Sequence, residues 1–367
     1  MAEVFVVDPL RPQAAPLVLA ARCLARGGLV AFPTETVYGL GVNALDRAAV
    51  GRLFAAKGRP ANDPLIVHAA DLARLSAVVG GLPPLAHRLA ARFWPGPLTL
   101  VLPRHPDLPD EVTAGLDTVA VRVPAHPVAR ALLERCPVPV AAPSANLFSR
   151  PSPTTAAHVL DDLADRIDMV LDAGATDVGV ESTVLDLTTD PPRILRPGAV
   201  SLEQLREVVP GVARREPVPA GAASADTAWA VNVAPGTAAA SAMPSPGMLS
   251  RHYAPRTPLT LVTGAPAEGG ARLRALVEAS LASGHRVGVL AYDPDLAWCR
   301  ACGVQVAGIG PDTDPAFVAR RLYGALRELD AAGLDVLFVR DLAASDGLGP
   351  AVRDRLRRAA VRIVPAP

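Results

Sequence analysis

The side chains best able to do chemistry in this chain sit in short polar segments that follow apolar runs. FPTETVYGLG (32–41) places Thr34, Glu35, Thr36 and Tyr38 before two glycines. KGRPANDPLIVH (57–68) sets Lys57 and Arg59 two residues apart at a helix end, with Pro60 and Pro64 stiffening the loop and His68 at the exit of a strand. A compact ammonium and a planar guanidinium held in a stiff loop suit a polyphosphate. Cations at a helix C-terminus also simply complement the helix dipole, so the pair alone does not decide. In GLDTVAVRVP (115–124), Arg122 interrupts an apolar run. A buried arginine must be paired, so it faces either an internal acid or an anionic ligand. APSAN (142–146), SRPSPT (149–154), GVESTV (179–184) and LRPG (195–198) add Ser, Asn, Thr and Arg at further strand ends. No paired carboxylates and no cysteine nucleophile accompany them. The set describes an anion-binding cavity that acts by position and charge.

Such segments need a sheet whose strands end together. Strand-like runs cover 29–33, 65–69, 99–103, 119–123, 138–142, 169–172, 182–187 and 193–196, and helical runs cover 13–26, 47–56, 85–93, 128–134, 155–163 and 202–209. Leu17, Ala20, Ala21 and Leu24 share one helix face, and Gly27-Gly28 stops that helix. Their alternation predicts an α/β domain over 1–210 with a largely buried sheet. Against its ligand-binding reading, FPTETVYGLG has a plain alternative, a polar loop with a glycine turn at Gly39 and Gly41. Residues 211–255 are rich in Ala, Pro, Gly and Ser and read as a linker, with a short apolar piece at 228–233. A smaller Rossmann-like α/β domain follows over 256–367, with strands at 259–262, 286–291, 304–307 and 336–340.

Composition excludes several classes. The 367 residues carry 36 basic and 36 acidic side chains, and half are hydrophobic, so global disorder is excluded. Neither half has the basic excess of a dedicated nucleic-acid binder. No apolar run is long enough to span a bilayer, the N-terminus does not read as a secretory signal, and four cysteines are no disulfide framework. A cytoplasmic protein without membrane contact is the expectation. Lys57 is the one lysine among the 36 basic residues, and Gly58 follows it, so no Gly-Lys-Ser/Thr phosphate loop exists. The pair Cys299/Cys302 resembles a redox motif, but it lies at the wrong end of a short helix to activate a thiol.

In this order, PTETVYGLG, KGRPANDPLIVH, FWPGPLTLVL, AGLDTVAVRVPAHP, APSANLFSRPSPT, GVESTVLDL and LRPG resemble the YrdC-type threonylcarbamoyl-AMP synthases. The later SPGMLSRHYAP and the extra α/β domain resemble their long, two-domain form, which implies a large, twisted mixed sheet in the first domain. The resemblance implies condensation of L-threonine, bicarbonate and ATP to threonylcarbamoyl-AMP and pyrophosphate, catalysed by a nucleotidyltransferase. It also implies a downstream tRNA threonylcarbamoyl transferase machinery, which modifies N6 of the adenosine next to the anticodon. Mg2+ would arrive with ATP, without a dedicated protein metal site, and no stable nucleic-acid binding is expected. By motif, Lys57 and Arg59 would be catalytic and bind phosphates. Asp63, Thr118, Ser144, Asn146, Ser152, Arg196 and Ser250 would complete the ATP site. Thr36, His68, Arg122, Ala142 and Ser182 would surround threonine. SPGMLSRHYAP would close over both substrates as a lid. Asp63 departs from the Asn common in relatives, and Asp354-Arg355 from Asn-Arg. Two other readings compete: an RNA-binding module with a basic cavity, and a carbamoyl-adenylate-forming maturation factor.

Overall fold

The computed structural model describes residues 1–214, 242–245, 247 and 251–367. The apolar piece at 228–233, Met248 and Ser250 lie outside the described residues.

The first sheet comprises β1 (Glu3–Val6), β2 (Val30–Pro33), β3 (Tyr38–Asn43), β4 (Ile66–His68), β5 (Leu98–Pro103), β6 (Thr118–Arg122), β7 (Val140–Ala141), β8 (Met169–Asp172), β9 (Thr183–Asp186), β10 (Arg193–Arg196) and β11 (Ala213–Arg214). Their order is β1-β8-β2-β3-β7-β4-β6-β5-β9-β10-β11, with parallel and antiparallel neighbours mixed. Register builds the site. His68 pairs with Arg122 across parallel β4 and β6, and with Val140 across antiparallel β4 and β7, so β4 and β6 end together where β7 begins. β5 then carries β9 at its other edge, with Leu98 opposite Thr183.

Helix Ala14–Ala25 buries Leu17, Ala20, Ala21 and Leu24, as the periodicity requires. Helix Arg47–Lys57 starts where the Asp46 side chain accepts from Ala49 N, and it stops at Gly58 in the left-handed region, φ 63°. That cap fixes Lys57 as the last helical residue and aims it inward. The sheet and helices close over a core including Leu40, Val42, Leu53, Val67 and Leu100, each buried side chain stabilising by roughly 1.5–3 kcal/mol.

One expectation is corrected here. Tyr38-Gly39-Leu40-Gly41 is not a turn but part of β3, antiparallel to β2. Gly41 is required by packing: a Cβ there would lie 2.9 Å from the Phe32 ring.

The second sheet comprises β12 (Leu259–Thr263), β13 (Val287–Tyr292), β14 (Gln305–Gly310), β15 (Val336–Arg340) and β16 (Arg362–Pro365). Every pairing in it is parallel, in the order β14-β13-β15-β12-β16. The two sheets belong to domains that dock through charge and close packing. Arg327 donates to Pro151 O and to Asp162, while Arg150 bridges Asp162 and Asp330. Gly179 meets helix Pro315–Ala331 so closely that a Cβ would lie 2.5 Å from Ala319 O. Among the described residues no helix is long and apolar enough to cross a membrane.

Candidate functional site

The strand ends of the first sheet enclose a cavity lined by Thr34, Thr36, Arg59, His68, Arg122, Ala142, Ser144, Glu181, Ser182, Arg196 and the linker residues Gly247, His252 and Tyr253, among others. Eight sequence-predicted residues therefore meet in one place.

Arg122 ends β6 and is 3% exposed. Its guanidinium donates to Gly96 O (3.2 Å), Thr36 Oγ1 (3.0 Å) and Glu35 Oε1 (2.5 Å). The internal acid demanded by a buried arginine is thus Glu35, itself fixed by Ala125 N on its other oxygen. Three of the five N–H groups of the guanidinium are engaged among the described residues. Beside it, His68 Nδ1 lies 3.2 Å from Ile66 O, so the ring donates there and leaves Nε2 as an acceptor. Burial first, and then Arg122, push the imidazole down to about 3, so His68 is neutral at physiological pH. Thr34 and Thr36 hydroxyls are 2.8 Å apart, and Ser182 Oγ lies 2.7 Å from Thr99 Oγ1. This side of the cavity offers a cation, hydroxyls and a neutral nitrogen acceptor. Those groups match a small amino acid's carboxylate, hydroxyl and amine.

The other side is cationic. Arg59 is buried, donates to the carbonyls of Asp63 and Pro64, and places Nη2 3.0 Å from Asp63 Oδ2. Arg196 donates through Nε and Nη2 to Ser182 O and reaches Ser182 Oγ. Burial pushes the Asp63 carboxyl up, against the pull of Arg59.

Several placements differ from expectation. Lys57, expected on the phosphates, does not line the cavity. It is 2% exposed, and its Nζ donates to Ser144 O (2.6 Å) and Asn146 O (2.5 Å). Burial, then Arg59, pull its pKa well below the lysine range. The helix cap turned the side chain beneath the APSAN loop instead of toward the cavity. Asn146 is also buried, its amide donating to Leu147 O and Arg150 O within its own loop. Ser152 is fully buried, donating to Glu181 Oε1. Asp63 is fully buried behind Arg59. Thr118 starts β6, opposite Pro103, four residues and ~13 Å of extended strand from Arg122, and does not line the cavity. Ser250 lies outside the described residues.

Thr34 and Glu181 are lining residues that sequence reasoning did not assign. Glu181 gave a signal as the one acid in GVESTV, but two of its partners, Tyr323 and Arg355, come from the second domain and could not be read locally. From the linker, Tyr253 is 1% exposed with φ 62°, its ring centroid 4.1 Å from His252 and 5.7 Å from Tyr323. Gly247, φ 75°, fits tightly: a Cβ would lie 2.6 Å from Tyr253 OH and 3.0 Å from Arg196 Nη1. In the cysteine pair, Cys299 is buried, and burial followed by Asp295 pushes its thiol up to about 12, away from the reactive thiolate.

Comparison with known proteins adds an independent line. A family model described as Telomere recombination (Sua5, YciO, YrdC) matches residues 22–198, and one described as Threonylcarbamoyl-AMP synthase, C-terminal domain, matches 200–361. A Pyrococcus abyssi protein named threonylcarbamoyl-AMP synthase is 44% identical, with 93% of each chain covered. A Bacillus subtilis protein of the same name is 41% identical, with 97% of this chain and 96% of that one covered. The crystal structure of P. abyssi Sua5 complexed with L-threonine superposes with a TM-score of 0.84 at 41% identity, covering 99% of both chains.

Proposed function

Because the chain belongs to the threonylcarbamoyl-AMP synthase family of nucleotide-transferring enzymes, we propose that it condenses L-threonine, bicarbonate and ATP to threonylcarbamoyl-AMP and pyrophosphate. The product then serves a tRNA threonylcarbamoyl transferase machinery in the cytosol, which modifies N6 of the adenosine beside the anticodon, and the chain itself forms no stable complex with nucleic acid. The observation that carries this reading is the union of two recognition surfaces in one cavity. Arg122, Thr36, neutral His68 and Ser182 form one, and Arg59 and Arg196 form the other.

In this reading Arg122 takes the threonine carboxylate, and His68 Nε2 accepts from its amine or hydroxyl. The amine, once carboxylated by bicarbonate with loss of water, is an N-carboxylate. One carbamate oxygen attacks the α-phosphorus, forming the new O–P bond as the bond from Pα to the bridging oxygen of pyrophosphate breaks. The electron pair leaves with pyrophosphate. No protein nucleophile is needed. Arg59 and Arg196 neutralise the phosphates, and the linker residues His252 and Tyr253 exclude water from the labile anhydride. Lys57 acts one step back, by holding the carbonyls of Ser144 and Asn146.

Mg2+ fits as a cation carried by the nucleotide. Carboxylates at the site, Glu181, Asp63 and Glu35, already face Arg355, Arg59 and Arg122. Magnesium keeps several waters and binds chiefly through substrate phosphates, with one or two carboxylates at most. When bound, it supplies charge neutralisation on the phosphates. Release of pyrophosphate from ATP, dependent on both L-threonine and bicarbonate, tests the proposal. Release independent of threonine would refute it.

A further inference from the structure

Glu181 is an acid in a cavity read as an anion site, and this requires an explanation. The carboxylate is buried, and both of its oxygens are occupied. Ser152 Oγ donates to Oε1 at 2.5 Å, and Tyr323 OH lies 3.1 Å from Oε1 and 2.9 Å from Oε2. Arg355 Nε donates to Oε2 at 2.9 Å. Ser152 belongs to the first domain. Tyr323 lies on helix Pro315–Ala331 and Arg355 on helix Gly349–Ala359, both in the second.

Arg355 is 1% exposed and spans the interface: Nη1 donates to Pro197 O of the LRPG segment and to Asp354, and its guanidinium lies 5.3 Å from the Tyr253 ring centroid. Pro197 adjoins Arg196, and Glu181 adjoins Ser182, which Arg196 holds. Two second-domain side chains thus fix Glu181, and Arg355 also holds, at Pro197, the segment that carries Arg196.

We infer that Arg355 and Tyr323 are positioning residues for the nucleotide half of the site: they hold Glu181 in place and cancel its charge, so that a cavity containing an acid can admit a triphosphate. The inference rests on the proposed ATP-dependent function and gives the second domain a share in building the site. An unpaired carboxylate in a buried site repels an incoming anion, whereas removing both members of a buried pair leaves no uncompensated charge. Charge, and not shape alone, is therefore what Arg355 supplies. Burial alone would raise the Glu181 carboxyl, yet Arg355 and Arg196 outweigh it and hold the group at about 2.

The test is calorimetric titration of the full chain with ATP and, separately, with L-threonine, alongside a melting curve for each variant. Arg355→Ala should weaken ATP binding about tenfold to a hundredfold, while the threonine Kd stays within about threefold. The double variant Glu181→Gln/Arg355→Ala should regain most of the lost ATP affinity. Tyr323→Phe keeps the ring and its packing, and carries the test should Arg355→Ala melt far below the parent. It should weaken ATP about threefold to tenfold. ATP affinity unchanged in both Arg355→Ala and Tyr323→Phe, equal losses for ATP and threonine, or no recovery in the double variant would each overturn the inference. Parent protein that binds neither ATP nor threonine would instead overturn the proposed function.

Discussion

Lys57→Met isolates the ammonium of the one lysine in the chain. Methionine keeps most of the aliphatic stem and removes only the donors. Nζ now satisfies two buried carbonyls, Ser144 O at 2.6 Å and Asn146 O at 2.5 Å. Each acceptor left without a partner costs about 1–3 kcal/mol. Removing a desolvated cation offsets part of that, because burial already disfavours its charge. A net loss of about 2–4 kcal/mol follows. For a domain of some two hundred residues this lowers Tm by roughly 4–16 °C. Lys57→Ala should lose more, because it also opens a cavity. Both variants should lose most threonine-dependent pyrophosphate release, since the APSAN loop carries Ala142 and Ser144 into the cavity. Thermal melts and pyrophosphate assays on both variants decide the matter. A Lys57→Met protein that melts within 2 °C of the parent and turns over at its rate would refute the reasoning.

Three further outcomes follow from the same geometry. Gly198→Ala drives a Cβ to 2.3 Å from Ser182 C and Thr183 N, backbone that cannot yield, so it should cost more than ~3 kcal/mol; a normal urea midpoint would contradict this. Gly247→Ala should displace Tyr253 or Arg196 and weaken ATP binding about tenfold with a parental melt, and unchanged affinity in calorimetry would count against it. His68 and His252, at about 3, and His158, at about 4, are neutral in the fold, with burial the first cause for each. The unfolded chain therefore takes up protons on them below pH ~6.5 that the native state does not. Stability should fall as pH drops from 6.5 toward 4, by about 1.4 kcal/mol per pH unit for each histidine. Urea unfolding at pH 7.5, 6 and 5 measures this, and His68→Asn should flatten the slope; a slope unchanged by that substitution would remove His68 from the explanation.

Strand ends and their polar residues were readable because buried strands leave a strong apolar signal and their side chains change type abruptly at the exit. Arg122 is the clearest case: an arginine in TVAVR had to find an acid, and Glu35 is that acid. β3 was missed because Gly39 and Gly41 carry a turn signal locally, while the cause of Gly41 is the Phe32 ring on the neighbouring strand. Lys57 reads as a phosphate ligand because it stands beside Arg59 at a helix end, whereas the carbonyls that bind it lie near residue 145. The pairing of Glu181 was unreadable for the same reason, since Tyr323 and Arg355 lie more than 140 residues away. Long-range pairings of polar groups leave no periodic trace, so sequence finds the candidates and structure decides which of them face the cavity.

The most direct measurement is pyrophosphate release by the full chain with ATP and Mg2+, with L-threonine and bicarbonate added singly and together, paired with detection of the adenylate by mass. Release and a threonylcarbamoyl-AMP mass that appear only when both are present are the expected result. Pyrophosphate release at the same rate without threonine, or no adenylate with all components present, would contradict it.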